Sequence, residues 1–178
     1  STMVVRGAPL IGVTGAYGLM LALQVDPSDA ALVAAFDQLN ATRPTAINLR
    51  WALERVRDRV ISLPLNQRAA AAREEAGLIA DEDVAMCSTI GDHGLGLFQQ
   101  LAAARPPSRQ DQPFQVLTHC NAGWLATVDW GTALAPIYKA HRAGLNVHVW
   151  VDETRPRNQG ASLTAYELAC EGVPHTVI

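Results

Sequence analysis

The sequence predicts an α/β fold, with an N-terminal helical domain followed by an incomplete Rossmann-like parallel βαβαβ half-sheet. Three observations predict it. Residues up to about 104 carry helical periodicity and helix caps. A polar, proline-rich stretch at 105–113 breaks that pattern. Beyond it, short apolar, β-branched runs alternate with helical segments. The expected organisation is a helical domain over 1–104, a linker over 105–113 and the first part of a Rossmann-like domain over 114–178.

Taken in order, Pro9 suits a first helical turn, where its missing N–H costs nothing. The apolar run Leu10 to Leu23 makes the first helix, and Gly12, Gly15 and Gly18, spaced by three, imply that another backbone or a ligand comes close to that face. Ser28 is the expected N-cap of a second helix through about Asn40, and Thr45 of a third. In the third, Leu49, Leu53, Val56 and Val60 fall at helical spacing and form a buried stripe, while Arg50 and Glu54 pair on another face. Asn66 is the expected cap of an Ala-rich helical region reaching about Ala104, with a break near Gly91 to Gly96.

After the linker, Phe114–His119, Asn146–Val151 and Pro174–Ile178 read as strands, with helices near Gly131–Ala143 and Ala161–Glu171 between them. Strands alternating with helices at this spacing predict a parallel sheet. Ligands of such sheets bind beyond the carboxyl ends of the strands. That rule marks Cys120-Asn121-Ala122-Gly123 and Asp152-Glu153-Thr154-Arg155. A sheet of three strands ending on an apolar one is expected to leave an uncovered face and an unpaired edge.

Composition narrows the function classes. Of 178 residues, 49% are hydrophobic and 17% charged, with a net charge of -3. No run of like charges offers a nucleic-acid surface, and the apolar stretches are expected to be broken short of the roughly 20 residues that span a bilayer. Cys87, Cys120 and Cys170 have no paired spacing, so reduced thiols in cytoplasm are expected. His93, His119, His141, His148 and His175 are scattered, without a zinc spacing. No phosphate-binding loop, nucleophile elbow or dinucleotide fingerprint is present.

Cys120 sits at a predicted strand end. Its thiol there is a nucleophile, an acid–base group, a proton relay or simply a small buried hydrophobe. Because neighbours on a strand point to opposite faces, His119 is not its natural dyad partner. Arg6-Gly7-Ala8-Pro9 places a cation and unpaired N–H groups at a helix mouth, either a phosphate cradle or an ordinary Pro-started helix with a surface arginine. Arg43-Pro44-Thr45 repeats the design before another helix. The Asp152 to Arg157 loop either holds a polar ligand or is an exposed, salt-bridged turn. Gln159 precedes Gly160 where an amide caps or binds.

Several motifs resemble the methylthioribose-1-phosphate isomerase family, in that family's order. They are Arg6-Gly7-Ala8-Pro9-Leu10-Ile11-Gly12, Arg43-Pro44-Thr45-Ala46-Ile47-Asn48-Leu49, Ile79-Ala80-Asp81-Glu82-Asp83, Thr118-His119-Cys120-Asn121-Ala122-Gly123 and Gly131-Thr132-Ala133-Leu134-Ala135-Pro136-Ile137. The longest runs from Val149 to Leu163. The resemblance implies a cytoplasmic aldose–ketose isomerase of methionine salvage, without metal or redox cofactor. It interconverts 5-methylthioribose 1-phosphate and 5-methylthioribulose 1-phosphate. By the same resemblance Cys120 is catalytic, and Arg6, Gly7, Ala8, Arg43 and Gln159 contact the sugar phosphate.

The resemblance also implies a full-length homodimer about twice this length. The family's catalytic aspartate and an Asn-Lys pair are then expected beyond Ile178, so the 178-residue chain is expected to be a fragment, inactive alone. Ribose-1,5-bisphosphate and 5-deoxyribose-1-phosphate isomerases are alternative activities. A non-catalytic, sugar- or nucleotide-phosphate-binding subunit, like those of the eukaryotic translation initiation exchange factor, is the alternative without turnover.

Overall fold

The computed structural model describes residues 4–178. The chain divides into two compact units, Ser1–Asp83 and Val84–Ile178. The proline-rich stretch 105–113 therefore lies inside the second unit, and the division itself falls within a helix.

The first unit packs α1 (Ala8–Val25), α2 (Asp29–Thr42) and α3 (Ile47–Val60) with the first part of α4 (Leu65–Ala103). The expected stripe is its core: Leu49, Leu53, Val56 and Val60 are buried, together with Leu19 and Leu23 of α1, Leu32 of α2, and Ala72 and Ile79 of α4. Gly12 is needed for a close approach, since a Cβ there would come within 2.8 Å of the Asn48 carbonyl oxygen on α3. A helix backbone, not a ligand, occupies that face.

The glycines do not interrupt α1, which corrects the expectation that apolar stretches are broken. Its 18 residues average a hydropathy of 1.5, long and apolar enough by length and composition to cross a membrane. In this structure Ile11, Val13, Ala16, Leu19, Met20 and Leu23 are core residues of the first unit.

Ser28 caps α2 as expected, its Oγ accepting from the Ala31 N–H at 3.2 Å. Thr45 does not cap α3: Ala46 holds the N-cap position without a side-chain bond, and its N–H closes a turn onto the Arg43 carbonyl at 2.9 Å. Thr45 sits one residue too early to reach the orphan amides. Asn66 likewise lies inside α4, which starts at Leu65. Arg50 and Glu54 form the expected exposed pair at 2.8 Å. Arg68, only 5% exposed, gathers the carbonyls of Pro27, Ile61 and Leu63 and the Asp29 carboxylate.

In the second unit α4 continues without a break through Gly91 to Gly96, against expectation. The small residues there serve contact: a Cβ at Gly94 would collide with the Pro136 ring, and the Lys139 ammonium donates to the Ser88 carbonyl at 2.8 Å and pairs with Asp92 at 2.6 Å. A helix can absorb a propensity cost of about 1 kcal/mol per glycine when packing returns it.

The sheet is β1 (Phe114–His119), β2 (Val147–Asp152) and β3 (His175–Val177), all parallel in the order β1-β2-β3. This is the expected βαβαβ arrangement, with α5 (Ala135–Arg142) and α6 (Ala165–Cys170) as the connecting helices. Gly131, expected near the start of α5, instead adopts φ +78° in the preceding loop.

One face of the sheet is apolar and covered. Val147, Val149 and Val151 are buried there, and Val149 and Val151 share a core with Leu134, Ile137, Tyr138 and Leu168. The other face is a row of cross-strand polar pairs: Gln115 with Trp150 at 2.7 Å, His148 with Thr176 at 3.1 Å and His119 with Asp152 at 2.7 Å. Leu117 stands 65% exposed among them, the uncovered face that the sequence predicts.

Candidate active site

The parallel ladder carries β1 and β2 to the same end of the sheet, where His119 is in register with Asp152. Immediately beyond, the Cys120 N–H bonds the Asp152 carbonyl at 3.3 Å and the backbone turns to φ +60°. A left-handed conformation costs an L-residue roughly 1–2 kcal/mol, so something must hold it.

The connection after β2 supplies the hold. A single π-turn, Gly160–Thr164, opens the helical segment that becomes α6. At its start, the Gln159 side chain caps nothing; its Oε1 instead accepts from the half-buried Cys120 thiol, 3.4 Å away. At its end, the Thr164 hydroxyl donates to the Cys120 carbonyl at 2.6 Å and accepts from the Asn121 amide at 3.1 Å. Isolated π-turns widen a helix by one residue and are common at functional sites. Here the extra residue lets both ends of one turn reach Cys120.

Beneath this turn lies Glu167, whose side chain is wholly buried. Its Oε1 accepts from the Asn121 amide at 2.8 Å and the Leu125 N–H at 3.3 Å. Its Oε2 accepts from the Trp124 N–H and the Tyr138 hydroxyl, each at 2.8 Å. An ionised carboxylate has about four lone-pair sites, and each of these partners is a donor, so Glu167 is satisfied as an anion. Burial, then the Glu167 charge, pushes the Tyr138 hydroxyl far above the ordinary phenol range, so it stays a donor. Gly123 lacks a side chain because a Cβ there would run into the Glu167 carboxylate.

In the loop after β2, backbone N–H groups gather on the Glu153 carboxylate. Burial opposes ionisation of Glu153, yet the Ala161, Thr154 and Gly160 N–H groups outweigh it and, with Arg155 nearby, hold the carboxyl below its usual range. Those bonds are 2.7–2.8 Å long; the Gly160 and Ala161 ones cap the π-turn, and the Thr154 one is local to the loop. Asp152 faces His119 instead. His119 is therefore engaged away from Cys120, as the alternation of strand neighbours requires.

In the first unit, α1 begins at Ala8 with Gly7 as N-cap and Pro9 in its first turn, and no side chain caps its amides. Arg43, at the carboxyl end of α2, reaches the Val5 carbonyl at 3.5 Å. The two predicted cradles thus meet in this unit: the Arg43 guanidinium lies against the backbone that leads into Arg6, Gly7 and Ala8. Helix-terminal amides and guanidinium groups are suited to an anion.

Sequence reasoning named Cys120 and Gln159, and the structure brings these two together. It missed Thr164, Glu167 and Tyr138. Their signal is faint: Thr164, Glu167 and Leu168 fall at helical spacing, which puts a carboxylate on an otherwise buried stripe. Among the described residues no group of three His, Cys, Asp or Glu is placed to hold a metal ion, and the three cysteines form no disulfide.

A sequence model of the initiation factor 2 subunit family matches residues 4–178. The methylthioribose-1-phosphate isomerase of Methylocella silvestris is 66% identical to this chain over 99% of it and 47% of the relative. That of Rhodospirillum rubrum is 63% identical over 99% and 45%. The chain therefore spans about half the length of the curated relatives it matches. Among solved structures, translation initiation factor eIF-2B subunit delta from A. fulgidus superposes with a TM-score of 0.81 at 39% identity, covering 98% of this chain and 50% of that one. The 5-methylthioribose 1-phosphate isomerase of Pyrococcus horikoshii superposes with a TM-score of 0.78 at 37% identity, covering 99% and 48%.

Proposed function

The chain belongs to the initiation factor 2 subunit family, and from that premise we propose that it is part of an isomerase acting on 5-methylthioribose 1-phosphate. The observation that carries the proposal is 66% identity to such an isomerase over 99% of the chain. The contact of Cys120 with Gln159 at a strand end supports it.

Aldose–ketose isomerisation opens the sugar ring, then moves hydrogen from carbon two to carbon one, leaving composition unchanged. It needs a pocket without bulk water and a proton-handling group beside those carbons. Cys120 is the proposed group and Gln159 a proposed substrate contact, its amide exchanging the thiol for a sugar hydroxyl. Arg6, Arg43 and the amides of Gly7 and Ala8 are proposed contacts for the sugar phosphate, supplying charge and N–H donors to an anion. A second acid–base group is proposed to belong to the half of the relatives' length that this chain does not cover. The 178-residue chain alone is accordingly predicted to turn nothing over.

The test follows the full-length protein and its Cys120→Ser variant by NMR with methylthioribose 1-phosphate. Ketose signals from the first, reduced at least about 100-fold in the second, are expected for loss of a general acid–base group. No ketose from folded full-length protein refutes the reading. A binding subunit without turnover is the second reading, favoured by the 0.81 superposition on the eIF-2B delta subunit. We rank it second because the Methylocella silvestris and Rhodospirillum rubrum isomerases are 66% and 63% identical to the chain. Sugar-phosphate binding without product would reverse that order.

A further inference from the structure

We propose that Thr164 is the positioning residue of the site: the π-turn exists to hold Cys120 in its left-handed conformation, with the thiol on Gln159. Three features converge on this role. Cys120 has φ +60°, a conformation that an L-residue keeps only when its surroundings impose it. Thr164 is wholly buried, and its hydroxyl donates to the Cys120 carbonyl at 2.6 Å, the shortest of the bonds around that residue. The same hydroxyl oxygen accepts from Asn121, whose amide is also held by Glu167.

Backbone and side chain of Cys120 are therefore gripped separately, by the two ends of one turn. Thr164 takes the carbonyl and Gln159 takes the thiol. A regular α-helical turn is one residue shorter than a π-turn and cannot present the same pair of side chains to one residue. Glu167 is the floor of the device, fixing Asn121 and the amides of Trp124 and Leu125 so that the chain leaves Cys120 in one direction. Thr164 acts through Cys120 and needs no contact with substrate.

This deepens the isomerase reading and rests on it only for the kinetic half of the test. Thr164→Val keeps shape and removes the hydroxyl; Thr164→Ser keeps the hydroxyl and removes the methyl. In full-length protein, iodoacetamide labelling of the Cys120 peptide at one fixed pH is followed by mass spectrometry. Thr164→Val is expected to label about five-fold faster, the scale of one lost net hydrogen bond, and Thr164→Ser within about two-fold of wild type. With methylthioribose 1-phosphate, Thr164→Val is expected to lower kcat about ten-fold with KM little changed, and Thr164→Ser to restore it. Faster labelling in a protein that isomerises nothing supports the positioning role while removing the isomerase reading. A folded Thr164→Val protein that labels at the wild-type rate overturns the positioning role, as does a serine variant that behaves like valine. If Thr164→Val does not fold, the Cys120→Gly, Thr164→Val double variant decides. Glycine accepts φ +60° unaided, so recovered folding supports the proposal and continued failure overturns it.

Discussion

Arg68 in the first unit and Glu167 in the second are both buried among hydrogen-bond partners, and they do different work. Arg68 in the helical unit faces acceptors: the carbonyls of Ile61 and Leu63 at the end of α3 and of Pro27 before α2, and the Asp29 carboxylate in the first turn of α2. At the carboxyl end of α3 it meets unpaired carbonyls, which favour a cation. Glu167 in the α/β unit faces donors, and three of the four come from the turn that leaves Cys120. Arg68 ties regular elements together at their ends. Glu167 organises an irregular segment that nothing else would shape. A buried charge among helix ends is a structural tie, whereas one beneath a strand-end loop determines where reactive atoms stand.

That contrast is most exposed by Glu167→Ala. It leaves two backbone N–H groups and a phenol without partners in a dry interior, and the Asn121 amide with Thr164 alone. A loss of about 3–5 kcal/mol is expected, the scale of breaking a buried charge network. Hydrogen exchange at the Trp124 and Leu125 amides should accelerate beyond what global destabilisation explains. A chemical denaturation series with exchange read by NMR tests both. A loss under about 1 kcal/mol, within the range of ordinary surface substitutions, would erase the distinction between the two charges.

Arg68→Ala is expected to cost less, about 2 kcal/mol, because the carbonyls it abandons sit at helix ends where water can replace it. Its effect should stop at the helical unit. Exchange at Ile61 and Leu63 should rise, with Cys120 labelling unchanged. If labelling responds as strongly as to Glu167→Ala, the two charges are not separate devices.

The same contrast explains what could be read from the sequence. Regular elements declare themselves by period and composition: Leu49, Leu53, Val56 and Val60 mark a buried stripe, and the short apolar, β-branched run Phe114 to His119 marks β1. Ser28 announces α2 because a cap acts within three residues. Interruptions were less legible. Gly91 to Gly96 look like breakers, but their meaning depends on Pro136 and Lys139, more than 40 residues away. At the site, Cys120 and Gln159 could be named as residue types in suggestive positions. Their contact joins residues 39 apart and follows from a π-turn that no local pattern encodes. Glu167 was hidden because a glutamate in a helical stretch ordinarily faces water, and only its four donors make the interior tolerable.

The smallest expected effect concerns how the two units cap their helices. Ser28 caps α2 with a neutral hydroxyl on the Ala31 N–H; the carboxylate nearby, Asp26, is also held below its usual range but bonds Ser28 and not the Ala31 amide. Glu153 caps the π-turn with a carboxylate held below its usual range, against its own burial, by the Ala161, Thr154 and Gly160 N–H groups. A depressed carboxyl stabilises the folded form when both states are ionised. That stabilisation is present above about pH 4.5, the ordinary glutamate value, and is lost as pH falls through the lower folded value. On acidification from pH 6 toward pH 3, protection of the Gly160 and Ala161 amides should therefore fall before that of Ala31, once intrinsic exchange is divided out. Because Gln159 and Thr164 bracket the same turn, Cys120 labelling corrected for thiol ionisation should follow the Gly160 amide. Parallel loss of protection at Ala31 and Gly160 would mean that acid opens both units together, leaving no separate role for the carboxylate cap.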